Sequence, residues 1–236
     1  MLKQFFAVFF VITVFMVPCF SQEKTFDSEL STLRKSIISM CAQLQAGQPK
    51  ESQEQLLKEI DTIISEWEAI TAVYKNTPPK EYAKDPAWKS YFDEALDNFQ
   101  IMRQKTGMNN YKRAMYFCGQ NCGLFVKIHQ VNERITLTDK LFILRQNVRL
   151  SVAMAKAENW DGAQKIMKEC AVQLKGIKKI NNSSIVSKVE YKADISQIEQ
   201  IYSNMREIIA KMDAQGIDKQ LKLFMGEFGK IYLKYI

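Results

Sequence analysis

From Leu30 onward, apolar residues recur every three or four positions almost to the end of the chain, and strand-like alternation is nearly absent. That period belongs to amphipathic helices, so the predicted class is all-α. Leu30, Leu33, Ile37, Cys41 and Leu44 mark a first helix that stops near Gly47, with Pro49 just beyond. A second runs from about Glu51 to Tyr74, with Leu57, Ile60, Ile64 and Trp67 inward, and Asn76-Thr77-Pro78-Pro79 breaks it. After the loop Lys80 to Trp88, a third helix buries Phe92, Leu96, Phe99 and Met102. Gly107-Met108-Asn109-Asn110 turns the chain into a fourth, Tyr111 to about Gln130. Four more follow near 139–157, 161–178, 191–213 and 216–235.

The second set of four repeats the first, about 110 residues on. Leu30-x-x-Leu33-Arg34-x-x-Ile37 returns as Leu141-x-x-Leu144-Arg145-x-x-Val148. Leu56-Leu57-Lys58-Glu59-Ile60 returns as Ile166-Met167-Lys168-Glu169-Cys170, and Phe117-Cys118-Gly119 as Phe224-Met225-Gly226. Preserved order at a near-constant offset is the mark of an internal repeat. With short loops joining antiparallel neighbours, the expected architecture is two tandem four-helix bundles, 22–133 and 137–236.

The first 21 residues read differently. Lys3, the apolar run Phe5 to Val17 and Cys19-Phe20-Ser21 have the layout of a cleaved export signal. The run is short of the roughly 20 apolar residues that span a bilayer, and no later stretch is apolar enough to do so. A periplasmic or secreted protein, with no membrane span after cleavage, is the expectation. Loss of Lys3 lowers the formal charge from +7 to +6. Those charges are spread along the chain without a basic run, which argues against nucleic acid as a partner. Asn181 and Asn182 each begin an N-x-S sequon in the polar loop Lys179 to Ser187.

Catalytic constellations are missing. The chain has one histidine and no Gly-rich phosphate loop, H-E-x-x-H or G-x-S-x-G. Chemistry concentrates instead on the fourth helix, which reads Tyr116-Phe117-Cys118-Gly119-Gln120-Asn121-Cys122-Gly123-Leu124-Phe125 and then His129. At 100° per residue Cys122 lies about 40° round from Cys118, and His129 about 20°, on the core-facing stripe with Tyr111, Met115 and Phe125. Two thiols four apart on a helix are a soft pair suited to Cu(I). Packing gives them a plainer role, because cysteine is among the most buried residue types. Pairing is open from spacing alone. Across antiparallel helices Cys41 faces Cys118, and a bond there would clip them together, leaving Cys122 or Cys170 as core thiols. Gly119 and Gly226, inside their helices, suggest close helix contact or room for a flat cofactor.

Pro79, Glu81, Tyr82, Asp85, Pro86, Trp88 and Phe92, followed by a last helix bearing Cys118-Gly119, resemble the second hairpin of cytochrome c prime, the four-helix class of c-type cytochromes. The resemblance covers about 22–131 and, more faintly through the repeat, 137–236. It implies a four-helix bundle whose last helix holds haem through Cys-x-x-Cys-His, the histidine ligating iron. Here three residues separate Cys118 from Cys122, and Gly123 stands where the ligand histidine belongs. His129 lies roughly 9 Å further along the helix. Non-covalent haem of the b-type four-helix kind would pair His129 with a methionine near the start of the first helix, and Phe26 to Leu30 contain none. No cofactor is therefore expected, with haem at Cys118, Cys122 and His129, or Cu(I) at Cys118 and Cys122, as alternatives. The expected function is non-enzymatic: a binding or interaction module for a protein or small ligand, through the fourth-helix stripe or the groove between bundles. Electron transfer through a haem held in a non-standard way is the rival.

Overall fold

The computed structural model describes residues 25–45, 53–180 and 187–236; the export signal and both sequons lie outside them. The described residues form eight helices and no strand. They are α1 (Phe26–Gln45), α2 (Gln53–Tyr74), α3 (Trp88–Gly107), α4 (Tyr111–Val131), α5 (Leu137–Lys156), α6 (Trp160–Lys178), α7 (Lys188–Ala210) and α8 (Ile217–Lys234). None is long and apolar enough to cross a membrane. In the first half α1 packs on α2 and α4, and α3 packs on the same two. The second half repeats the arrangement, with α5 and α7 each packed on α6 and α8. The α4–α5 contact helps to join the halves.

Each helix buries one stripe, and packing those stripes together supplies the stability that short helices lack alone. In α2 the buried stripe is Leu56, Ile60, Ile63, Trp67 and Ile70. Leu57 and Ile64, expected inward, are only partly buried. The repeat shifts accordingly. The burial of α2 matches Ala163, Met167, Cys170, Leu174 and Ile177 in α6, so the two helices correspond three residues away from the register suggested by residue similarity. A slip of three is close to one helical turn and preserves an apolar pattern, which is why similarity alone misplaced it. Phe117 is likewise partly buried where Phe224 is fully buried.

Polar edges of aromatic rings tie the layers. Trp67 Nε1 donates to the Phe92 carbonyl at 3.0 Å and Trp88 Nε1 to that of Tyr74 at 2.9 Å. In the second half Tyr191 donates to the Ile177 carbonyl at 2.6 Å and Tyr202 to that of Met167. Side chains of Asn110, Thr136, Asn159 and Ser187 accept from backbone N–H groups at the starts of α4 to α7, as N-caps do. Four helices end on a non-glycine residue with positive φ: Asn109, Glu133, Glu158 and Met212. The next residue's N–H then reaches back five positions, as in Arg134 N to the His129 carbonyl at 2.7 Å. Such a cap stops α7 at Ala210, short of the expected 213.

Gly119 and Gly226 do not mark close helix contact. A Cβ added at either position meets nothing within 4 Å.

Candidate functional site

Cys118, Cys122 and His129 all lie on the buried face of α4, but they fall into separate environments. Cys118 is joined by a disulfide to Cys41 of α1, with the Cα atoms 6.0 Å apart. Its sulfur is therefore no thiolate, and Cys122 is left as a buried free thiol beside it on the helix. Burial pushes the Cys122 thiol up, against the pull of the Arg34 and Arg145 guanidinium groups. Cys170, the other free thiol, is pushed up by burial to about 12. Neither is poised as a nucleophile or ligand, since both roles need the thiolate. Among the described residues no group of three or more His, Cys, Asp and Glu side chains gathers as a metal site.

His129 belongs to a different cluster, at the seam between the halves. Its Nδ1 lies 2.6 Å from Oδ2 of Asp139 at the start of α5. The Asp139 carboxylate also accepts from Arg34 Nη1 at 2.8 Å, from the Thr136 backbone N–H at 2.9 Å and from the Thr136 hydroxyl at 2.8 Å. The backbone bond is one half of a capping box, completed by Asp139 N–H donating to Thr136 Oγ1 at 3.2 Å, which exists because α5 begins Thr136-x-x-Asp139. Burial works against ionisation of Asp139, but the His129 hydrogen bond and the Arg34 charge outweigh it and hold its pKa at about 2. An ionised carboxylate only accepts, so the proton in the 2.6 Å bond sits on His129 Nδ1.

On the outer side of His129, Asp27 of α1 is held by Tyr82 and Arg134. The Tyr82 hydroxyl donates to Oδ1, and Arg134 Nη2 donates to Oδ2 at 3.0 Å. Burial and the Asp27 charge both push the Tyr82 hydroxyl above its ordinary value, so it stays a donor. Tyr82 is fixed by its neighbours Phe26 and Trp88, whose ring centroids lie 5.2 and 5.0 Å away. Asp85 of the Asp-Pro turn accepts from Ala87 N at 2.9 Å and from Asn132 Nδ2 at 2.8 Å, which ties the loop before α3 to the end of α4.

Between these groups lies a cavity of about 260 Å³, bounded by Asp27, Leu30, Ser31 and Arg34 of α1, by His129, by Thr136 and Thr138, and by Tyr235 and Ile236. The Thr138 hydroxyl donates to the Tyr235 carbonyl and closes one side. Arg34 is 3% exposed and His129 4%, yet Arg34 Nη2 and His129 Nε2 have no hydrogen-bond partner among the described residues. His129 Nε2 stands 3.9 Å from Asp27 Oδ1. Among the described residues the Asn121 carboxamide, Glu66 Oε2, Arg145 Nε and the Tyr232 hydroxyl are also buried without partners. Such groups are uncommon in folded proteins and cost about 1–3 kcal/mol each.

The helical pattern located His129 and both α4 cysteines, but not Asp27, Arg34, Tyr82, Arg134 or Asp139. One signal was present: Arg34 sits on the apolar stripe between Leu33 and Ile37, where a charge needs a buried partner. No family model, curated protein or solved structure matches the chain.

Proposed function

We propose that the chain is an exported, haem-free protein built twice over on the cytochrome c prime plan. It is two antiparallel four-helix bundles in tandem, acting as a non-enzymatic binding module that takes a small ligand where the bundles meet. The observation that carries this reading is the seam cavity, with two nearly buried groups, Arg34 Nη2 and His129 Nε2, left unpartnered at its wall. Ligand sites favour such junctions, where a few convergent polar groups meet apolar walls.

The haem-free part is supported by the sulfur chemistry. Thioether attachment consumes two thiols, and Cys118 is bonded to Cys41. Gly123 follows Cys122 in place of an imidazole. Paired Cu(I) ligation at Cys118 and Cys122 meets the same obstacle. A disulfide also accords with a periplasmic or secreted location.

Ligand-observed NMR with a library of small polar molecules tests the module reading. Hits on the wild type that vanish in Ser31→Trp, which fills the cavity from a half-buried position on α1, would sustain it. A library without one cavity-dependent hit would remove it. For the rival, electron transfer, the readout is the absorption spectrum of protein purified from its own host: a Soret band would establish haem and overturn the haem-free reading.

A further inference from the structure

We infer that the outer face of α6 rests on an anionic lipid surface, with its lysines on the headgroup phosphates. The inference is independent of the seam cavity and adds a peripheral membrane contact to the proposed module.

The charged residues are spread along the sequence, but their balance is not. Residues 25–136 carry 14 lysines and arginines against 14 acidic residues, whereas residues 137–236 carry 17 against 11. The fold gathers part of that excess on one helix face. Lys165, Lys168, Lys175 and the C-cap Lys179 are all exposed, and with Val172 they follow one another at spacings of three and four. At 100° per residue the five span an arc of about 80°, along roughly 21 Å of helix. Of the acidic residues of α6, Asp161 stands in the first turn and Glu169 lies about 40° outside that arc. Among the described residues none of the four lysines has an ion-pair partner, while neighbouring Lys178 is paired with Glu199 at 2.8 Å.

The helix does not need these lysines in order to fold. In the burial register that matches α2 to α6, the same five positions on α2 are Lys58, Asp61, Ser65, Glu68 and Ala72. One copy of the frame is acidic and polar there; the other is cationic around an exposed valine.

Two apolar features favour lipid over a soluble polyanion. Val172, 70% exposed, sits among the lysines, as apolar side chains do on helices that lie in the headgroup layer. At the C-terminal end of the stripe a cavity of about 480 Å³ is rimmed by Lys178, Lys179 and Lys192 and backed by Ile180, Tyr191 and Ile195. A cationic rim over an apolar floor matches a phosphate joined to hydrocarbon. An acidic polysaccharide has no hydrocarbon to place there. Each lysine held near such a surface strengthens binding about fivefold.

The test is co-sedimentation of protein purified from its own host with two kinds of vesicle, phosphatidylcholine alone and phosphatidylcholine with about one-third phosphatidylglycerol, at low salt. The wild type should bind the mixed vesicles about tenfold more tightly or better. Lys165→Gln/Lys168→Gln/Lys175→Gln/Lys179→Gln, checked for an unchanged unfolding midpoint, should lose about a hundredfold of that affinity. Lys35→Gln/Lys58→Gln/Lys84→Gln/Lys89→Gln removes the same charge from exposed positions of the first half and should bind as the wild type does. The inference is overturned if the anionic vesicles are not preferred, or if the two variants lose affinity equally, which would make net charge and not this face the cause. Retention on a carboxylated or sulfated polysaccharide without vesicle binding would also overturn it, and would give the face to a soluble polyanion.

Discussion

Arg34 of α1 and Asp139 of α5 form an ion pair 2.8 Å long that links the two halves, with their side chains 4% and 0% exposed. They are 105 residues apart in the chain. A buried pair of this kind adds little net stability over well-packed apolar side chains, because desolvation consumes most of the Coulomb gain. Its effect is on geometry: only one placement of α5 against α1 satisfies both charges, and that placement forms the cavity.

Breaking the pair from one side should therefore be severe. Asp139→Asn leaves the Arg34 guanidinium buried without its counter-charge, and should cost about 3–5 kcal/mol in urea unfolding. The double variant Arg34→Met/Asp139→Leu should recover most of that loss while still failing to bind ligand. If the double variant were as unstable as Asp139→Asn, the pair would be a net stabiliser and the geometric account would fall.

Acid should release the same lock. The folded pKa of Asp139, about 2, lies below the ordinary aspartate value of 3.8. A depressed carboxylate contributes stability that is complete above its unfolded pKa and lost as pH falls through the folded one. About 2 kcal/mol should disappear between roughly pH 5 and pH 2. Over that range the stability gap between wild type and Asp139→Asn should narrow. A gap that stays constant would place the acid response elsewhere.

Reduction should weaken the first half and leave the second untouched. The Cys41–Cys118 bond closes a loop with a sequence separation of 77, for which chain entropy gives roughly 4 kcal/mol. Cys41→Ser should lower urea stability by up to that amount. Native protein should resist a thiol reagent, because Cys122 and Cys170 are buried with raised pKa values. Rapid labelling of the native state would contradict both placements.

Glycines inside helices, with open space at the missing Cβ, should be improvable. Gly119→Ala and Gly226→Ala meet no neighbour, so each should raise stability by about 1 kcal/mol through helix propensity. Denaturant midpoints settle the matter; a loss at either position would mean that something packs there after all.

The helical class and the core-facing stripe of α4 were legible because each depends on a local period that the residues display directly. Leu30, Leu33 and Ile37 must face inward wherever their helix packs, and so must Cys118, Cys122, Phe125 and His129. What the pattern left undetermined was register within a turn, as the shift between α2 and α6 demonstrates: moving an apolar stripe by three residues leaves it an apolar stripe. Only the tertiary structure decided which polar groups meet. Asp27, Tyr82, His129, Arg134 and Asp139 come from a helix start, two loops, a helix end and another helix start. Nothing local distinguishes Asp27, Arg134 or Asp139 from solvated charges. They become a site because packing the second half against the first buries His129 and Asp139 and brings the partly exposed Asp27 and Arg134 beside them. Each buried charge must then find a partner within a few ångströms, and two of the polar atoms that do not, Arg34 Nη2 and His129 Nε2, belong to residues that border the cavity.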